Sequence, residues 1–222
     1  MSQAAQEPKA IIFDFDGVIL ESAGIKTDAF RQIFAEWPSQ VDAIVAYHLQ
    51  NAGMGRMEKV RTIYRDFLHL PLSLADEERL DRTFAERVVA RVLACPFVRG
   101  APEFLAWSST RYPLFVASGV PQEELRDIVA QRDLTRFFGG VYGSPRNKVQ
   151  ILADIRAERG WAPEQMLLIG DALTDSRAAA AAGAAFVGRV AEGDPDIFEA
   201  EKRLVVVKDL NELLRVWEGL FR

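Results

Sequence analysis

Apolar positions along the chain follow two rhythms. Short, nearly continuous apolar runs occur at 10–15, 113–118, 140–142, 166–170, 185–187 and 204–208. Runs of that length and continuity fit strands covered on both faces of a parallel sheet. From the second run onward they alternate with helical patterns at 123–132, 148–159 and 174–182, and a last one follows at 210–220. This alternation predicts an α/β fold, a doubly wound parallel sheet of Rossmann type.

The first interval breaks the rhythm. The first strand ends near residue 15 and the second begins near 113. A parallel crossover needs only about a dozen residues including its helix, so a separate unit is predicted between them. Its apolar stripes are helical: 29, 30, 33, 34 and 37; 41, 44, 45 and 49; 57, 60, 63, 64, 67 and 68. Ser73 and Asp76 have the spacing of a capping box and open a long helix reaching about Ala94, striped at 80, 84, 88, 89, 92 and 93. A helix over 103–107 leads back into the sheet. The predicted division is a Rossmann-like core from 1–20 and 95–222, with an all-α cap inserted at 21–94.

Composition narrows the class. The chain has 222 residues, 49% hydrophobic and 27% charged, as in an ordinary globular protein. Net charge is −5 and no basic run is present, which argues against a nucleic-acid partner. Cys95 is the only cysteine, so no internal disulfide can form. With no histidine or second thiol beside it, Cys95 reads as an inert packed group, and a cytoplasmic location is expected. Residues 1–9 lack the basic and apolar regions of a leader peptide. No 18-residue apolar stretch exists, so no membrane partner is expected. The small-residue run at 178–185 is interrupted by Gly183 and follows charged residues, so it reads as a packed helix.

Candidate chemistry sits where the predicted strands end. The run Ile11-Ile12-Phe13 leads into Asp14-Phe15-Asp16-Gly17. Two carboxylates at the end of a buried strand need compensation, because an unpaired buried charge is costly. A hard divalent cation with oxygen ligands supplies it. Ser118 and Gly119 end the second strand; Ser144, Arg146 and Lys148 follow the third; Gly170-Asp171, and then Asp175, follow the fourth. In an open α/β sheet, ligands bind at this carboxyl rim. A carboxylate can attack phosphorus and divide ester hydrolysis into two easier steps. A second carboxyl can protonate the leaving oxygen and later activate water. A lysine and a cation offset the crowded negative charge, and a hydroxyl with a backbone N–H can hold the phosphoryl oxygens.

Asp14-Phe15-Asp16-Gly17-Val18, Val116-Ala117-Ser118-Gly119, Lys148 and Gly170-Asp171-x-x-x-Asp175 resemble, in order, the four motifs of the haloacid dehalogenase-like (HAD) hydrolase superfamily. The helical insert resembles the cap of the subgroup containing phosphoglycolate phosphatase and beta-phosphoglucomutase. The resemblance implies Asp14 as nucleophile and Mg2+ ligand, and Asp16 as general acid/base with its carbonyl on the metal. It implies Ser118 and Gly119 as the phosphate-holding pair, Lys148 as the neutralising lysine and Asp171 as a direct metal ligand. Asp175 then belongs to the metal site through water or toward Lys148. An acid at Asp16 is absent in haloacid dehalogenases, so its presence points to phosphate esters. Relatives often place a proline directly after the motif-three lysine; here Pro145 precedes it, and Arg146 is the alternative cation.

Within the cap, Gly53-Met54-Gly55-Arg56 resembles a Gly-x-x-Arg loop that holds a distal phosphate in mutase-like proteins, making Arg56 a candidate substrate contact. Lys26, ten residues after Asp16, is a second candidate and stands where the mutase has a histidine. Lys59 is expected to face solvent; His48 and His69 are expected in surface or packing roles. The implied function is a Mg2+-dependent phosphatase acting on a small phosphorylated metabolite, a sugar phosphate or a phosphoglycolate-like acid, as a monomer or homodimer. The alternatives are a phosphomutase, or a non-catalytic phospho-signalling or binding protein. The long insert and the Asp-x-Asp spacing argue against the signalling reading.

Overall fold

The computed structural model describes residues 6–221. The first five residues, part of the stretch without a leader pattern, lie outside the described residues. The sheet is built from β1 (Ala10–Phe13), β2 (Leu114–Pro121), β3 (Gly140–Ser144), β4 (Met166–Gly170), β5 (Ala185–Arg189) and β6 (Val205–Val207). All pairings are parallel, in the order β3-β2-β1-β4-β5-β6. The expected α/β doubly wound sheet is therefore present.

Every residue of β1 and β4 is buried, which explains why their sequences are continuously apolar rather than alternating. Successive side chains enter opposite layers. Ile11 and Phe13 pack with α5 (Ala101–Ser109), α6 (Gln122–Gln131) and α9 (Leu210–Leu220) through Phe104, Ile128 and Leu213. Ala10 and Ile12 face α7 (Lys148–Arg159) and α8 (Leu173–Ala182) through Ile151 and Ala179.

Between β1 and β2 the chain forms α1 (Ala23–Ile33), α2 (Val41–Gln50), α3 (Arg56–Thr62) and α4 (Leu74–Ala94). Its apolar stripes meet one another: Phe30 stacks on Phe34 and packs edge-on to Phe84. Ser73 caps α4 by accepting from Asp76 N–H at 3.2 Å, as its spacing predicted. The single helix expected over 57–68 is instead α3 followed by a π-helical turn, Ile63–Leu68, ending at His69 in the left-handed region. The apolar stripe alone does not distinguish those two windings.

β1 stops at Phe13, two residues before the predicted end of its run. Asp14 is thus free of the ladder on its carboxyl side and stands on the rim. Between β1 and β4 the chain direction along the sheet reverses, leaving a crevice there.

Candidate active site

Asp14 leaves β1 with its N–H donating to Ile169 O at 2.8 Å, which ties it to β4. Its Oδ1 accepts from Phe15 N–H at 2.7 Å. Its Oδ2 lies 2.8 Å from Lys148 Nζ. Lys148 is the first residue of α7, and the sequence fixes that start: Asn147 Oδ1 accepts from Gln150 N–H at 3.0 Å while Gln150 Oε1 accepts from Asn147 N–H at 2.9 Å. Lys148 also pairs with Asp175 Oδ1. Asp175 Oδ2 accepts from Ala172 N–H at 3.1 Å, closing the first turn of α8. Arg146, the alternative cation, is directed elsewhere, to Asp154 at 3.3 Å and over the Tyr142 ring.

Asp171 follows β4 and is half-buried. Carboxylate oxygens of Asp14, Asp171 and Asp175 all lie within 4.8 Å of one another. Burial, and then the charges of Asp175 and Asp16, push the Asp14 carboxyl up to about 7 against the opposing pull of Lys148. Burial, and then the charges of Asp14 and Asp175, raise Asp171 well above the usual range. Burial would lower the Lys148 ammonium, but Asp14 and Asp175 more than reverse this and hold it charged. One ammonium thus offsets one of three clustered carboxylates. The remaining charge and the all-oxygen donor set match a hard divalent cation, so the cluster could hold a metal ion. Gly17, at φ +72°, makes this crowding possible: a Cβ there would stand 1.9 Å from Asp171 Oδ2.

Asp16 lies outside the cluster's ion pairs. Its Oδ1 accepts from Ser22 Oγ at 2.6 Å and its Oδ2 pairs with Lys26 Nζ. Burial raises its carboxyl, but Lys26 and the Ser22 hydroxyl outweigh burial and hold it below its ordinary value.

Ser118 is buried within β2, its Oγ accepting from Val120 N–H at 3.2 Å. Gly119 follows where the β2–β3 register shifts. A Cβ on Gly119 would lie 2.5 Å from Gly53 O, so the helical segment's Gly53-Met54 turn touches the core backbone there. This contact stands between an inner cavity of about 90 Å³ and an outer crevice of about 910 Å³, both of which it lines. Asp14, Asp16, Lys26, Ser118, Gly119 and Asp171 line the inner cavity; Lys148 reaches the outer one.

Arg56 also lines the inner cavity, but its charge is engaged: Nη1 lies 2.8 Å from Asp81 Oδ1 and Nη2 2.5 Å from Glu124 Oε1. Lys59, expected in solvent, is buried in the cavity wall. One turn before Ile63 it shares that residue's inward face, and the helix stripe already marked that face. His48 packs against Phe30, and His69 is exposed. Two further groups escaped the sequence reading. Thr174 Oγ1 donates to Ala52 O across the crevice. Arg189, at the end of β5, donates to Gly17 O at 3.1 Å and pairs with Glu21 at 2.6 Å, bracing the loop that carries Asp16. Neither carries a sequence signal apart from its position at a strand end or helix start.

A six-stranded doubly wound sheet with an acidic cluster at its switch point, under a helical insert, defines a class of α/β enzymes. The profile of the haloacid dehalogenase-like hydrolases matches residues 8–183, and the chain belongs to that family of hydrolases. It is 28% identical over 187 residues to a phosphoglycolate phosphatase from Photorhabdus laumondii, covering 81% of this chain and 79% of that protein. It is 25% identical to a phosphorylated carbohydrates phosphatase from Thermotoga maritima, covering 79% and 82%. A hydrolase from Pseudomonas syringae shares the fold at a TM-score of 0.76 with 20% identity, covering 96% of this chain and 100% of that one. Among the described residues no helix is long and apolar enough to cross a membrane.

Proposed function

We propose that the chain is a Mg2+-dependent phosphatase that hydrolyses a small phosphorylated metabolite through an aspartyl-phosphate on Asp14. The observation that carries this reading is the pairing of Asp14 with Lys148 beside Asp171 and Asp175, with Asp16 two residues on in its own polar niche. The curated relatives support a phosphoryl substrate, since both are named as phosphatases of small phosphorylated compounds.

Asp14, Asp171 and the Asp16 carbonyl would hold the metal; Asp175, whose oxygens meet the Lys148 ammonium and the Ala172 N–H, acts through Lys148. When bound, the metal screens the phosphoryl charge from the attacking carboxylate. Asp14 attacks phosphorus and the ester oxygen departs with a proton from Asp16. Asp16, now ionised, takes a proton from water, which attacks the phosphoryl group and releases Asp14 and inorganic phosphate. Ser118 and the Gly119 N–H hold the phosphoryl oxygens, and Lys148 stabilises their charge. The inner cavity exceeds the roughly 10–15 Å³ that one water needs by several fold, which suits a short metabolite.

Steady-state hydrolysis of an aryl phosphate with Mg2+, with EDTA and in Asp14→Asn tests the reading. Turnover should require both the metal and Asp14, with a loss of at least about a thousandfold in the variant. Turnover that survives Asp14→Asn would refute the aspartyl-phosphate route.

A further inference from the structure

Among the described residues, the helical segment brings to the inner cavity one cation that neither pairs with a carboxylate nor serves the phosphoryl chemistry. Lys59, on α3, is only 3% exposed and lines the same cavity as Asp14, Asp16 and Ser118. Its Nζ lies 3.2 Å from His48 Nδ1 and 3.4 Å from the His48 carbonyl oxygen. It stands 5.8 Å from the centre of the Phe30 ring. Among the described residues no carboxylate pairs with it. The other cations of the cavity are paired: Lys26 with Asp16, and Arg56 with Asp81 and Glu124.

His48 cannot act as its counter-ion. Burial, and then the charges of Lys59 and Lys26, push the imidazole down to about 3, so the ring is neutral. The ring is nevertheless fixed. It stacks on Phe30 with centroids 4.3 Å apart, and its Nε2 lies 3.2 Å from Thr27 Oγ1. An ammonium has only donors, so Nδ1 accepts from Lys59 and Nε2–H donates to Thr27. The Thr27 hydroxyl in turn donates to Ala23 O at 3.3 Å. This chain holds Lys59 in place without neutralising it. A buried ammonium lacking an anion is costly, and an anion arriving with a ligand removes that cost. The phosphoryl end of a substrate is already provided for by Lys148, Ser118 and Gly119.

We propose that Lys59, seated by His48 and Thr27, is the subsite for a second anionic group, a carboxylate or a second phosphate, at the substrate end remote from the scissile phosphate. The proposal rests on the phosphatase reading and deepens it. The confined inner cavity requires a short linker between the two anions. Arg56 does not supply this subsite, because two carboxylates already hold it.

Three short phosphate monoesters of equal length, ending in a carboxylate, a phosphate or a hydroxyl, distinguish the outcomes. Their binding is measured by calorimetry on the Asp14→Asn protein with Mg2+, with and without Lys59→Met, which keeps the buried stem. An anion-ended ester should bind at least about tenfold more tightly than the hydroxyl-ended one. Lys59→Met should abolish that ratio, and the better of the two anions identifies the group. Equal binding of all three esters when Lys59 is present, or a preference that survives Lys59→Met, overturns the subsite. Turnover by the unaltered chain is scored separately. Hydrolysis without an anion preference removes the subsite alone. An anion preference without hydrolysis of any ester removes the phosphatase reading alone.

Discussion

Arg56 Nη2 lies 2.5 Å from Glu124 Oε1, joining the start of α3 to the first turn of α6 across 68 positions of sequence. The same guanidinium reaches Asp81 at 2.8 Å and lies over the Phe84 ring at 4.3 Å. The helical segment is therefore fastened to the core by a largely buried ion pair. Breaking a fully buried pair from one side costs about 3–5 kcal/mol. Here Asp81 remains as a partner and Glu124 is partly open to water, so the loss should be smaller. Glu124→Gln is expected to cost on the order of 1–2 kcal/mol and to lower the melting midpoint by roughly 2–8 °C. A midpoint unchanged in thermal denaturation would show that the pair adds nothing to the stability of the folded protein.

Lys26 governs the state of Asp16. The Asp16 carboxyl lies below its ordinary value because Lys26 and the Ser22 hydroxyl outweigh burial. Removing a cation beside a carboxylate raises its pKa. Lys26→Met should therefore increase the protonated fraction of Asp16 at neutral pH. In the pH profile of kcat, the alkaline fall should move to higher pH, since the departing oxygen needs that proton. A fall at unchanged pH would exclude Asp16 as the group whose ionisation limits the rate.

Asp14, Ser118, Lys148, Asp171 and Asp175 were legible in the sequence for one physical reason. Asp14 and Asp171 follow buried strands, Lys148 and Asp175 lie in the first turn of helices, and Ser118 lies in β2 three residues before its end at Pro121; a parallel sheet brings all such ends to one rim. Local signals fix those points, as with the Asn147–Gln150 capping box before Lys148. The surroundings of Arg56 and Lys59 depend on how the helical segment leans on the core, and no local period encodes that contact. Arg56 was legible as a residue of the site region, but its partners Asp81 and Glu124 were not. Lys59 is buried despite its charge because, one turn before Ile63, it occupies the face that the stripe marks as inward. The π-helical turn at Ile63–Leu68 leaves the apolar stripe intact, so it was not visible either.

Gly119 sets how closely the helical segment can approach. A methyl group there would meet Gly53 O at 2.5 Å and Met54 O at 2.8 Å, and backbone atoms cannot step aside as a side-chain tip can. Gly119→Ala should hold the Gly53-Met54 turn away from the core and join the inner cavity to the outer crevice. A site that cannot exclude water or complete its contacts loses rate, so a tenfold or larger fall in kcat/KM is expected, on the order of 1.4 kcal/mol. The folded core should persist, because β2 carries no side chain requirement at this point. Wild-type kcat/KM in the alanine variant would show that the contact at Gly119 is not part of the working conformation.

Lys59 leaves a pH signature in stability that needs no substrate. Burial, and then the charges of Lys26 and Lys148, push its ammonium down to about 7 against the weaker pull of Asp16 and Asp14. In the unfolded chain it titrates near 10.5. Between those values the unfolded state holds more protons than the folded one, so this group makes stability rise with pH. Below about 7 both states are protonated and the full cost of burying the charge is present. His48, with its pKa near 3, does not titrate in this window. Lys59→Met removes the charge and keeps the packed stem. The variant should therefore exceed the parent in stability by up to a few kcal/mol at pH 6, and the gap should shrink steadily toward pH 10. Urea unfolding of both proteins at pH 6, 8 and 10 measures it. A gap that stays constant, or widens with pH, would mean that Lys59 keeps an ordinary ammonium in the folded protein.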